Sequence, residues 1–143
     1  MKITKFEAVS ENENYKYGGS KICEICGGMD GDGEALVYGQ LQKLFGKPVF
    51  ESENFEEWYN YYIKATDENG KEYYLEAYFG PTGSAVGGSG DDEETVEAAN
   101  ALVKYIKSAE TVDYEAKSVY EDFDVEVIMG VKNGTPYSSE REL

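Results

Sequence analysis

Cys23-Glu24-Ile25-Cys26 has the spacing of a metal knuckle or a dithiol redox pair, and these are the only two cysteines in the chain. Structural zinc needs four ligands of thiolate or imidazole type. The sequence contains no histidine, so only carboxylates or a second chain could complete such a site. A redox pair belongs at a helix N-terminus after a strand, whereas glycines follow here. The pair therefore reads first as two ordinary small, buried or half-buried residues. Downstream, Asp30-Gly31-Asp32-Gly33-Glu34 places oxygen ligands at positions one, three and five, as an EF-hand loop begins. The pattern then fails, with Ala35 at the sixth position and Leu41 at the twelfth. Cys23, Cys26, Asp30 and Asp32 stay as weak metal-ligand candidates beside the simpler reading of a turn leading into a helix. No cofactor is expected.

The glycine-rich segment from Gly80 to Gly90 lies between an expected strand and an expected helix, the context in which backbone amides cradle phosphate. The P-loop lysine is missing, and Asp91, Asp92, Glu93 and Glu94 would oppose an incoming anion. A crossover loop is the plainer reading, and any ligand there would be neutral or cationic. Catalysis has few parts to work with. Without histidine, the general acid and base would have to be Asp, Glu, Tyr, Lys or a perturbed Cys. Paired carboxylates carry no information in a chain with 29 of them.

The remaining constellation interleaves acids with rings. Glu56, Glu57 and Trp58 belong to a stretch from Glu51 to Tyr62 that alternates charge with aromatic residues. Along the following strands, Glu72, Tyr74, Glu76 and Tyr78, then Asp122, Asp124 and Glu126, are expected to point outward. Tyr and Trp anchor interfaces because they bury rigid area at small entropic cost, while carboxylates steer a basic partner. Against this stands the reading that the rings are core and the acids a solvated face.

The elements that must position these residues follow from periodicity. A strand is expected over Ile3–Val9 and a shorter one over Lys21–Cys26. Leu36, Val37, Gln40, Leu41, Leu44 and Phe45 have helical spacing before Gly46 and Pro48. Asp67-Glu68-Asn69-Gly70 is a hairpin turn, followed by a strand with Tyr73, Leu75, Ala77 and Phe79 inward. Asp91 is the expected N-cap of a second helix, with Glu94 completing a capping box and Val96, Ala99, Leu102, Val103 and Ile106 buried. Strands near Tyr114–Tyr120 and Phe123–Val131 lead to an Asn133-Gly134 turn, with Phe123, Val125, Val127, Met129 and Val131 inward. The expected class is α+β: one domain over residues 1–143, an antiparallel sheet with two helices on one face, in the order β-α-β-β-α-β-β.

The charge decides the expected function class. A formal −16 on 143 residues repels nucleic-acid phosphates and anionic lipid, so neither is an expected direct partner. The 13 tyrosines and 41% apolar content argue for a folded chain rather than a disordered one. No run approaches a membrane span and the first residues lack a signal-peptide hydrophobic region, so the expected address is cytoplasmic. The expectation is a non-catalytic acidic inhibitor, immunity-type or phage anti-defence and anti-CRISPR-type. It would occlude the basic surface of a nucleic-acid-handling protein, such as a toxin or defence nuclease, as a nucleic-acid mimic. The alternatives are a small-molecule or metal-binding module using Gly80–Gly90 or Cys23–Asp32, and a small carboxylate or thiol enzyme.

Overall fold

The computed structural model describes residues 1–9, 20–27, 30–46, 59–80 and 83–143. Among these, the strands are β1 (Ile3–Val9), β2 (Lys21–Gly27), β3 (Tyr59–Asp67), β4 (Glu72–Gly80), β5 (Gly83–Gly88), β6 (Tyr114–Tyr120), β7 (Val125–Lys132) and β8 (Thr135–Glu142). The helices are α1 (Gly31–Phe45) and α2 (Glu93–Ser108), with a 3-10 turn at Glu121–Phe123. The fold is α+β with antiparallel pairing throughout. The expected single sheet is two: a five-stranded sheet in the order β1-β3-β4-β5-β2 and a three-stranded sheet β6-β7-β8. Strand periodicity tells which face of a strand is apolar but not which layer covers it, so the division was not readable from the pattern.

Both helices pack on one face of the large sheet, as the apolar alternation requires. Tyr73, Leu75, Ala77 and Phe79 are all buried, and the first three join Tyr61, Ile63, Val86, Leu41 and Leu102 in the main core. The other side of α1 carries the small sheet. Ala35 and Tyr38 meet Phe79 and Met129 in a second cluster, with Tyr38 stacked on Phe79 at 5.2 Å and edge-on to Tyr114 at 5.1 Å. Gly39 permits a close approach behind this: a Cβ there would lie 1.7 Å from Thr111 Oγ1 and 3.1 Å from the Val112 carbonyl. Gln40 Nε2 donates to the Ala109 carbonyl at 3.0 Å, tying α1 to the end of α2.

Local chemistry sets the boundaries. Asp30 caps α1 by accepting from Gly33 N at 2.9 Å, so Gly31 to Gly33 form the first helical turn rather than the expected loop. Glycine leaves room for the cap, since a Cβ on Gly33 would sit 2.4 Å from the Asp30 carboxylate and 2.9 Å from Cys26 Sγ, and the capping side chain would have to shift. The cap of α2 is Asp92, one residue beyond the expected Asp91, accepting from Thr95 N at 3.2 Å and Thr95 Oγ1 at 2.7 Å. Glu94 forms no capping box and pairs instead with Lys71 and the Tyr73 hydroxyl. Asn133 and Gly134 both take positive φ, the two-residue hairpin expected of that pair. The β3–β4 turn needs positive φ only at Gly70, because Asp67 Oδ1 accepts from both Asn69 N and Lys71 N at 2.9 Å.

The segment Gly83–Gly88 is a buried strand paired on both sides, with β4 and β2, and not a crossover loop. Its small residues admit neighbours from both layers: a Cβ on Gly88 would meet Ile22 Cδ1 at 2.8 Å and Thr95 Cγ2 at 3.1 Å.

Glu34, in the first turn of α1, is a buried carboxyl: it is 8% exposed, and among the described residues its Oε1 has no hydrogen-bond partner. Burial, reinforced by the neighbouring Asp30 carboxylate, pushes its pKa up to about 7. A folded-state pKa above the ordinary 4.5 contributes stability that is fully present below pH 4.5 and lost as pH rises through about 7. Urea unfolding at a series of pH values is expected to show the wild type losing stability over that window relative to Glu34→Gln, with a constant difference at higher pH. A pH-independent difference would contradict the burial of an ionisable group here.

Candidate protein-docking site

The outward residues of β4 lie together on the face of the large sheet opposite the helices. Glu72 is exposed and pairs with Lys64 at 3.0 Å. Tyr74, Glu76 and Tyr78 are half-buried. Burial raises the Glu76 carboxyl, and burial together with Glu76 and Cys23 raises the Tyr78 phenol. Glu56, Glu57 and Trp58 lie outside the described residues. Asp122 and Asp124 are exposed but belong to the turn between β6 and β7, on the other sheet, so the structure does not gather the nominated acids into one surface.

Glu126 departs from its expected exposure. It is 4% exposed, with Oε1 2.7 Å from Arg141 Nη2 and Oε2 3.7 Å from Lys117 Nζ. Arg141 stands directly opposite Glu126 on β8, and Lys117 reaches over from β6. The carboxylate is engaged within the sheet and is not presented to a partner. Phe123 departs in the opposite sense: expected inside, it is 76% exposed. Strand β7 begins only at Val125, because Asp124 takes φ 51° and ends the 3-10 turn that holds Phe123.

Around Phe123 the structure builds a patch that strand alternation did not show. Val125 and Val127 continue the face of β7 whose far end, Met129 and Val131, is buried; near Phe123 they are only half-buried. With Tyr120, Phe123 and Glu140 they line a pocket of about 290 Å³. Glu142 stands opposite Val125 and is exposed, and the 3-10 turn adds exposed Glu121, Asp122 and Asp124. Among the described residues none of these five acids forms an ion pair. Arg141, the only arginine of the chain, neighbours Glu140 and Glu142 in sequence but pairs with Glu126. The outcome is an exposed aromatic ring beside half-buried valines, with one carboxylate, Glu140, in the pocket lining and further exposed acids on residues adjacent to it in sequence or register.

The other candidates are less built. Among the described residues no group of three His, Cys, Asp or Glu could hold a metal ion, so Cys23, Cys26, Asp30 and Asp32 do not assemble into a ligand set. Burial raises both thiols, opposed by Lys21 at Cys23 and reinforced chiefly by Asp30 and Glu34 at Cys26, which disfavours the nucleophilic thiolate. A cleft of about 470 Å³ opens where β5 runs into α2, lined in part by Lys21, Ile22, Gly88, Gly90, Asp91 and Val96. Nearby, the Asp92 cap occupies Thr95 N. No protein family, curated protein or solved structure matches this chain.

The sorting of charge around Glu126 is testable. Arg141→Ala leaves a buried carboxylate with Lys117 alone and is expected to cost about 1–3 kcal/mol in urea unfolding. Replacing both partners, Glu126→Leu with Arg141→Leu, is expected to recover most of that loss, since no charge is then left buried.

Proposed function

We propose that this chain is a non-catalytic acidic inhibitor that docks on the basic surface of a nucleic-acid-handling protein and occupies the place of its phosphates. The observation that carries the reading is exposed Phe123 beside the carboxylates of Glu121, Asp122, Asp124, Glu140 and Glu142, none of which forms an ion pair among the described residues. The ring and its pocket supply buried area at the centre of a contact; the acids supply steering and sign. The formal charge of −16 extends that field beyond the patch and accelerates encounter with a cationic target. The absence of histidine removes the commonest acid–base group, and the raised thiols argue against a cysteine nucleophile. Toxin nucleases and nucleases of antiviral defence, including CRISPR effectors, are the partner classes to test, in an immunity or anti-defence role.

A small-molecule module is the second reading, favoured by the cleft of about 470 Å³ beside Gly88 and Asp91. Its polar lining holds both Lys21 and Asp91, which suits a neutral or zwitterionic ligand better than a phosphate.

The test is binding and inhibition with purified nucleases encoded beside the gene. A cognate nuclease is expected to be inhibited competitively with its nucleic acid. Its affinity should fall at least about tenfold between roughly 50 and 500 mM salt as the steering field is screened. Phe123→Ala is expected to weaken binding by about 2 kcal/mol, the scale of an interface anchor. Salt-insensitive binding, or a complex indifferent to both Phe123 and its neighbouring acids, would refute the reading.

A further inference from the structure

We infer that the pocket beside Phe123 receives one arginine side chain from the partner. This rests on the docking reading above and names the group that the site recognises. The volume, about 290 Å³, suits a single long side chain rather than a helix or a paired base. Its lining combines three characters: Val125 and Val127 are apolar, Phe123 and Tyr120 carry rings, the former exposed, and Glu140 supplies one carboxylate. Arginine has a part for each. Its methylene stem lies on apolar surface, its planar guanidinium stacks on aromatic faces, and its N–H fork meets a carboxylate through two parallel bonds.

Other occupants fit less well. A purely apolar side chain would desolvate Glu140 without pairing it. Lysine brings a compact, strongly hydrated ammonium that neither stacks as a plane nor engages a carboxylate through two bonds. A second copy of this chain is disfavoured by mutual repulsion at −16 and by its sole arginine, Arg141, being engaged with Glu126. The geometry also connects to the proposed function. The fork that reads a phosphate on nucleic acid is the fork that reads a carboxylate, so an arginine from a phosphate-binding surface is the group that Glu140 would capture.

The experiment needs no nuclease. The isotopically labelled full chain is titrated by two-dimensional NMR with end-blocked hexa-arginine, hexa-lysine and hexa-citrulline at low salt. Hexa-arginine is expected to bind roughly threefold or more tighter than hexa-lysine. Its largest shifts should fall on residues 120–127 and on Glu140, with no binding by uncharged hexa-citrulline. Phe123→Ala and Glu140→Gln should each remove the preference for arginine over lysine while residual electrostatic binding persists, with unfolding midpoints confirming that both variants fold. Equal affinity for the two cationic peptides, or shifts centred elsewhere, would overturn the arginine pocket even if a nuclease is inhibited. A preserved arginine preference together with failure to inhibit any nuclease would refute the proposed function and leave the pocket standing.

Discussion

Helix α1 is held between two sheets, and the placement of the small sheet depends on that double burial. Val37 and Leu41 face the core of the large sheet while Ala35 and Tyr38 meet Phe79 and Met129. Tyr38 serves both layers, stacking on Phe79 and meeting Tyr114 edge-on, and the Tyr114 hydroxyl donates to the Ala35 carbonyl at 2.7 Å. The small sheet packs on α1 through β7 and β8. Burying side chains of this size contributes on the order of 1.5–3 kcal/mol each, so the anchor is firm at the Met129 end and the sheet can extend past it towards Phe123 without cover.

A second constraint sorts the charges. A carboxylate buried at Glu126 demands cations, and the two that answer, Arg141 and Lys117, are drawn to one face of the small sheet. On the opposite face Glu140 and Glu142 flank Val127 and Val125 with no cation among the described residues to neutralise them. One interaction that stabilises the sheet thus leaves the pocket face anionic. Packing and surface potential are linked here through the alternation of a single strand.

Much of the scaffold was legible. The β4 alternation fixed its buried face residue by residue, because a half-buried strand must alternate. The helices were readable from apolar spacing, though the α1 cap was missed and the α2 cap placed one residue early, and Asn133-Gly134 from its tolerance of positive φ. The failures share a cause, which is that a neighbour overrode a local signal. Glycines that read as a loop at 83–88 became a central strand because two strands pair with it and Ile22 and Thr95 fill the space a side chain would take. The polar segment Thr135–Glu142, with Pro136 inside it, gave little strand signal, yet it pairs with β7 over its whole length. The candidate site was half visible: Asp122 and Asp124 stood out as acids, but their companion Phe123 was assigned to the core, since alternation cannot show where a strand begins.

The residues alone determined that this is a strongly acidic α+β protein with two amphipathic helices and apolar strand faces, because charge is additive and periodicity is a local property of the backbone. Tertiary structure decided that there are two sheets, that Glu126 is buried while Phe123 is exposed, and that Glu140 lines one pocket with Tyr120 and Phe123, which are distant from it in sequence. Those outcomes depend on which strand lies beside which and on the backbone turning at Asp124. Both are set by long-range packing against α1 and between β6, β7 and β8, which no window along the chain contains.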